Sequence, residues 1–141
     1  MRAGLITAAA VVCLMAAGAA QAKTVSFKAA LSGANEVPAN MEKGTGTVDA
    51  TLDTVTKAFT YTVTYSGLTG PATAAHFHGP ALAGANAGPT IVLTPPASPI
   101  KGTSTLTDAQ IADLEAGKWY VNVHAAAHPG GELRAQLPAA N

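Results

Sequence analysis

The sequence predicts an all-β fold, an antiparallel Greek-key β-sandwich with one short helix. Three observations carry that prediction. Apolar and polar residues alternate with period two in one short stretch after another, the pattern of half-buried strands. Proline- and glycine-rich turns separate these stretches. Only one window has helical spacing. With 5% aromatic residues, the core must come from Val, Leu, Ile, Ala and a few rings.

Taken in order, Val25, Phe27, Ala29 and Leu31 alternate with Ser26, Lys28 and Ala30 and predict the first strand. Val48, Ala50 and Leu52 repeat the pattern after Gly44-Thr45-Gly46. Phe59, Tyr61, Val63 and Tyr65, interleaved with threonines, give the clearest strand, because β-branched and aromatic residues suit a pleated surface. Ala74 to His78 and Ile91 to Leu93 are short strands between Gly70-Pro71, Gly79-Pro80, Gly88-Pro89 and Pro95-Pro96. Thr107 is placed to cap a helix, with Gln110 three residues on, Ile111 and Leu114 on one face, and Gly117 at the left-handed stop. Trp119, Val121 and Val123 alternate with Tyr120, Asn122 and His124. After the Pro129-Gly130-Gly131 turn, Leu133, Ala135 and Leu137 alternate with Glu132, Arg134 and Gln136.

Met1-Arg2, the weakly apolar run to Ala19 and the small-x-small site Ala20-Gln21-Ala22 form the three-part pattern of a secretory leader. The expected organisation is a leader of residues 1–22 and a mature domain of 23–141, destined for the periplasm or secretion. Cys13, the only cysteine, lies inside the leader, so a mature chain would carry neither disulfide nor thiolate ligand. No later segment is apolar and long enough to span a bilayer.

Eight basic residues balance eight acidic ones, and only 11% of residues are charged. A nucleic-acid partner is disfavoured, since phosphate binding needs an excess of Lys and Arg on one face. A polybasic membrane patch is disfavoured for the same reason. No H-E-x-x-H, nucleophile elbow, phosphate loop or dinucleotide fingerprint is present.

The four histidines fall in two clusters, His76-Phe77-His78 and His124-Ala-Ala-Ala-His128. On a strand, His76 and His78 share a face with Cα atoms about 6.6–7 Å apart, while Phe77 points into the core. Two imidazoles at that spacing can converge on one ion, and a strand end plus a turn can add His124 and His128. Nitrogen donors without thiolate suit copper first and zinc second. Glu132 and Arg134 share a strand face near the second cluster and could orient a histidine or pair with each other. Glu36, in Asn35-Glu36-Val37-Pro38, is a loop residue without an obvious partner.

These stretches resemble the CHRD (chordin) domain family. The resemblance rests on Leu31-Ser-Gly-Ala-Asn-Glu-Val-Pro38, Tyr65-Ser-Gly-Leu68, Ala74-Ala-His-Phe-His-Gly-Pro-Ala81, Leu114-Glu-Ala-Gly-Lys-Trp-Tyr-Val-Asn-Val-His124 and Pro129-Gly-Gly-Glu-Leu-Arg-Ala-Gln136. They occur in the family's order and cover nearly the whole mature chain. The resemblance implies a secreted β-sandwich module of superoxide dismutase- or immunoglobulin-like type, as in bacterial single-domain members. In animals such modules sit in an extracellular growth-factor antagonist. His76-Phe77-His78 is also similar to the H-x-H strand of copper/zinc superoxide dismutases, although the zinc loop and disulfide cysteines of those enzymes have no counterpart here.

Three functional readings follow. The first is a copper-holding, copper-transferring or redox-buffering module, with a periplasmic protein as a second partner. The second is a structural or protein-interaction module with incidental histidines. The third is a dismutase-like enzyme, for which Arg134 is the one candidate anion guide; the balanced charge leans against it.

Overall fold

The structure is a computed structural model that describes residues 18–141. Most of the expected leader, Cys13 included, lies outside the described residues. Eight strands, β1 (Thr24–Ser32), β2 (Thr45–Asp53), β3 (Ala58–Ser66), β4 (Ala72–His78), β5 (Pro89–Val92), β6 (Ile100–Thr105), β7 (Tyr120–Ala125) and β8 (His128–Gln136), accompany one helix, α1 (Asp108–Glu115). They form one sheet of order β5-β4-β7-β8-β1-β2-β3-β6, and every pairing is antiparallel. The expected all-β antiparallel fold with one short helix is therefore borne out. Among the described residues no helix is long and apolar enough to cross a membrane.

β1 and β8 meet through the pair Ser32–Arg134, and the sheet curls so that its two halves face each other. Phe59 and Tyr61 on β3 lie 5.2 and 5.0 Å, ring to ring, from Phe77 on β4, although many strands separate β3 from β4 in the ladder. Phe27, Leu52, Val63, Trp119, Val121, Val123 and Leu133 are among the other members of this core. Burying each such side chain contributes roughly 1.5–3 kcal/mol, so the curl is closed by apolar contact more than by backbone pairing at the seam.

Helix α1 starts as expected. The Thr107 hydroxyl accepts from the Gln110 amide and the Gln110 side chain accepts from the Thr107 amide. Leu114 is buried, and Gly117 takes a φ of 73° after the last turn.

Two elements depart from the sequence pattern. β6 carries a single core residue, Ile100, and is held by pairing with β3 and by a Thr60–Thr103 hydroxyl hydrogen bond of 3.0 Å. Pro129-Gly130-Gly131 is not a separating turn. The chain reverses at Ala126–Ala127, and the proline and glycines form a bulge inside β8, between the pairs Val123–Leu133 and Ala125–His128. Gly131 serves that bulge with a φ of 128°.

Candidate metal centre

β4 and β7 are neighbours, and their register sets His76 opposite Asn122, Ala74 opposite His124 and His78 opposite Tyr120. Side chains alternate along a strand, so His76, His78, Asn122, His124 and Tyr120 share one face. Ala75, Phe77, Val121 and Val123 point the other way, into the core, each 0% exposed. The predicted division between Phe77 and its flanking histidines is thus observed. Gly79 ends β4 against Trp119; a Cβ there would lie 2.7 Å from the indole Nε1.

One ring nitrogen from each of His76, His78 and His124 lies within 4.8 Å of the others. His76 Nδ1 is 3.1 Å from His124 Nε2. His78 Nδ1 donates to the Ala87 carbonyl at 2.9 Å, and His124 Nδ1 donates to the Pro129 carbonyl at 2.8 Å. A carbonyl can only accept, so these contacts place the ring protons on Nδ1 and leave Nε2 with its lone pair. The β8 bulge is what turns the Pro129 carbonyl onto His124. Burial, then the neighbouring rings of His124 and His78, hold the His76 imidazole below its ordinary range. Burial also lowers His78, against hydrogen bonds to the Ala87 carbonyl and Asn122 Oδ1 that favour its charged form. Neutral rings are the form that donates to a metal.

This face is polar yet covered. His78 and His124 are 8% and 9% exposed, Asn122 3%, Arg134 1% and Glu132 0%. The segments following β1 and β4 lie over it. Asn35 and Asn40 donate to the Arg134 and Glu132 carbonyls, and Asn86 donates to the Val37 carbonyl. The Arg134 guanidinium donates to Asn86 Oδ1 at 2.9 Å and to the Ala85 carbonyl at 2.6 Å.

Arg134 Cζ also sits 3.4 Å from the centre of the Tyr120 ring. His78 stacks on that ring at 4.6 Å with 4° between the planes. Two planar groups this close cannot share one face, so the phenol lies between imidazole and guanidinium. Arg134 therefore reaches the site through Tyr120, and its charge is among the minor influences lowering His78. Among the described residues Glu132 forms no ion pair with a histidine; its carboxylate accepts from the Thr69 amide and hydroxyl, both at 2.8 Å. Among the described residues Glu132 and Arg134 form no ion pair with each other. His128 is not a member of the cluster; its Nε2 pairs with Glu42 at 3.0 Å, because it opens β8 instead of a turn.

Sequence reasoning missed Asn122 and Tyr120, and left Glu36 as a loop residue without an obvious partner. Asn122 could have been found, since Asn-x-His on β7 mirrors His-x-His on β4. Its Oδ1 lies 2.8 Å from His78 Nε2 and 2.9 Å from His124 Nε2. Glu36 is 5% exposed beside Asn122. Burial pushes its carboxyl up to about 7, against the opposing pull of Arg134, the Val37 amide, Asn122 and His128. Its burial could not be read from the sequence, because its neighbours in space are distant along the chain.

A family model described as the CHRD domain matches residues 27–137. No curated protein and no solved structure matched the chain in the same comparisons.

Proposed function

The chain belongs to the CHRD domain family, and from that premise we propose that it is a module that binds one metal ion between His76, His78 and His124. The observation that carries this reading is the convergence of three ring nitrogens within 4.8 Å. Two of the rings are held in the metal-donating tautomer by backbone carbonyls. Copper is the ion we favour and zinc the second choice, since the donors are imidazoles and divalent copper heads the affinity order for such ligands. The role is holding, transferring or buffering that ion, with a periplasmic protein as the exchange partner. On the strength of the N-terminal pattern we read residues 1–22 as a leader and 23–141 as the mature module, working in the periplasm or outside the cell. The finer fold reading is a Greek-key sandwich, with β5-β4-β7-β8 packed on β1-β2-β3-β6. The single pair joining β1 to β8 and the aromatic contacts between the halves support it.

The dismutase reading draws no support from Arg134. A guide for an anion must face solvent, and this guanidinium is 1% exposed and engaged by Asn86, Ala85 and Tyr120.

Copper(II) titration of the folded protein, followed by metal analysis and paramagnetic resonance, tests the reading. One equivalent should bind with nitrogen superhyperfine structure. His124→Ala should weaken binding by on the order of 100-fold or more, and His128→Ala should leave it unchanged. Binding of wild-type strength in His124→Ala would remove the proposal.

A further inference from the structure

The donor atoms of the cluster are linked in a chain of contacts that includes a fourth member. Along it, His78 Nε2 is 2.8 Å from Asn122 Oδ1, Asn122 Oδ1 is 2.9 Å from His124 Nε2, and His124 Nε2 is 3.1 Å from His76 Nδ1. With His78 Nδ1–H and His124 Nδ1–H spent on carbonyls, neither Nε2 of a neutral ring has a proton to give Asn122 Oδ1. Three lone-pair atoms facing one another at these distances repel unless one ring takes up a second proton or a metal ion lies between them, and burial works against the second proton on His78.

The amide is fixed in the orientation that creates this arrangement. Asn122 Nδ2 faces the Gly130 carbonyl at 3.5 Å. It also lies beside Glu36 Oε1, since both atoms crowd the same point where a Cβ on Gly131 would fall. Turned over, Oδ1 would face those two acceptors instead.

We propose that Asn122 Oδ1 is the fourth donor of the metal centre, completing a near-planar set of three imidazole nitrogens and one amide oxygen. The spacing favours that shape. Donors about 2.0 Å from an ion are separated by about 2.8 Å along the edge of a square and by about 3.3 Å along the edge of a tetrahedron. Two of the three observed separations, 2.8 and 2.9 Å, lie at the square edge and the third, 3.1 Å, between the two, which favours the geometry that nitrogen and oxygen donors give divalent copper or nickel. His76, the half-buried member, is the side from which an ion enters. The inference rests on the metal-binding reading and adds the geometry and the fourth ligand.

The test compares Asn122→Leu and Asn122→Asp with the wild-type chain in copper(II) titration, visible absorption and paramagnetic resonance, after circular dichroism has shown each apo protein folded. Asn122→Leu should bind copper at least about tenfold more weakly with a changed copper hyperfine splitting. Asn122→Asp should keep one equivalent bound but move the d–d band, because an anionic oxygen replaces a neutral one. Wild-type affinity and spectrum in Asn122→Leu would overturn the fourth ligand while leaving the three-histidine site standing. If Asn122→Leu does not fold, an unshifted Asn122→Asp spectrum overturns it instead. A folded wild-type protein that binds no copper would overturn both readings.

Discussion

A carboxyl group with no strong partner sets the pH behaviour expected of the apo protein. Glu36 titrates near 4.5 in an unfolded chain and at about 7 in the folded one. Between those values the folded state holds a proton that the unfolded state has released. Stability contributed by this group is therefore present below about 4.5 and lost as pH rises through about 7. Glu36→Gln keeps the shape and removes the titration. It should match the wild type at pH 4 and exceed it at pH 8 by on the order of 1–3 kcal/mol, as read from urea denaturation of metal-free protein at the two pH values. Equal differences at both would show that Glu36 acts through packing alone. The residue scale is also where the sequence was least legible. The histidine pair His76 and His78 and the core role of Phe77 could be read from period-two alternation. Glu36 could not be given a partner by that reasoning, because its surroundings depend on which loop lies over which strand, whereas Asn122 shares the alternation of His124 and was legible in principle.

Strand β4 shows how one element supports core and site together. Phe77 contacts Phe59, Tyr61 and Trp119 through its ring and anchors the backbone that presents His76 and His78. Phe77→Ala should cost about 3–5 kcal/mol in chemical denaturation, and copper affinity should fall with it as the two histidines lose their fixed spacing. A cost under about 1 kcal/mol would contradict the burial assigned to this ring. At this scale most strands and the capped helix were legible, since their apolar periodicity and turn residues agree. β6 was not, because Lys101-Gly102-Thr103-Ser104-Thr105 offers β3 only backbone and hydroxyl partners. The β8 bulge was misread because Pro-Gly-Gly is a common turn sequence as well as a bulge sequence.

The whole molecule has two interiors, an apolar one inside the curled sheet and a polar one beneath the segments after β1 and β4. Asn86 ties the second together, since its amide donates to the Val37 carbonyl on one segment and its oxygen accepts from Arg134 on the sheet. Asn86→Ala should therefore loosen residues 33–42 and 79–88 without unfolding the sheet. Hydrogen exchange in those segments should rise, while global stability falls by only about 1 kcal/mol. A uniform rise across β1 to β3 would mean that the cover and the sheet unfold as one unit. The balance of charges gave no sign of where the charged residues lie, and two of them, Glu132 and Arg134, are among the most buried of the described residues. Composition carries no information on which polar residues another segment will cover.

The register of β7 has a consequence for how this gene can change. Val121 and Val123 alternate with Asn122 and His124 along a strand whose six residues are all buried. Lengthening the strand by one codon would shift the phase of everything beyond it, sending an imidazole into hydrocarbon and a valine among the ring nitrogens. Point changes can trade ligands on this strand one at a time, but insertions and deletions cannot, so length variation between descendants of this chain is expected in the covering segments and at Ala126–Ala127, and not in β7 itself.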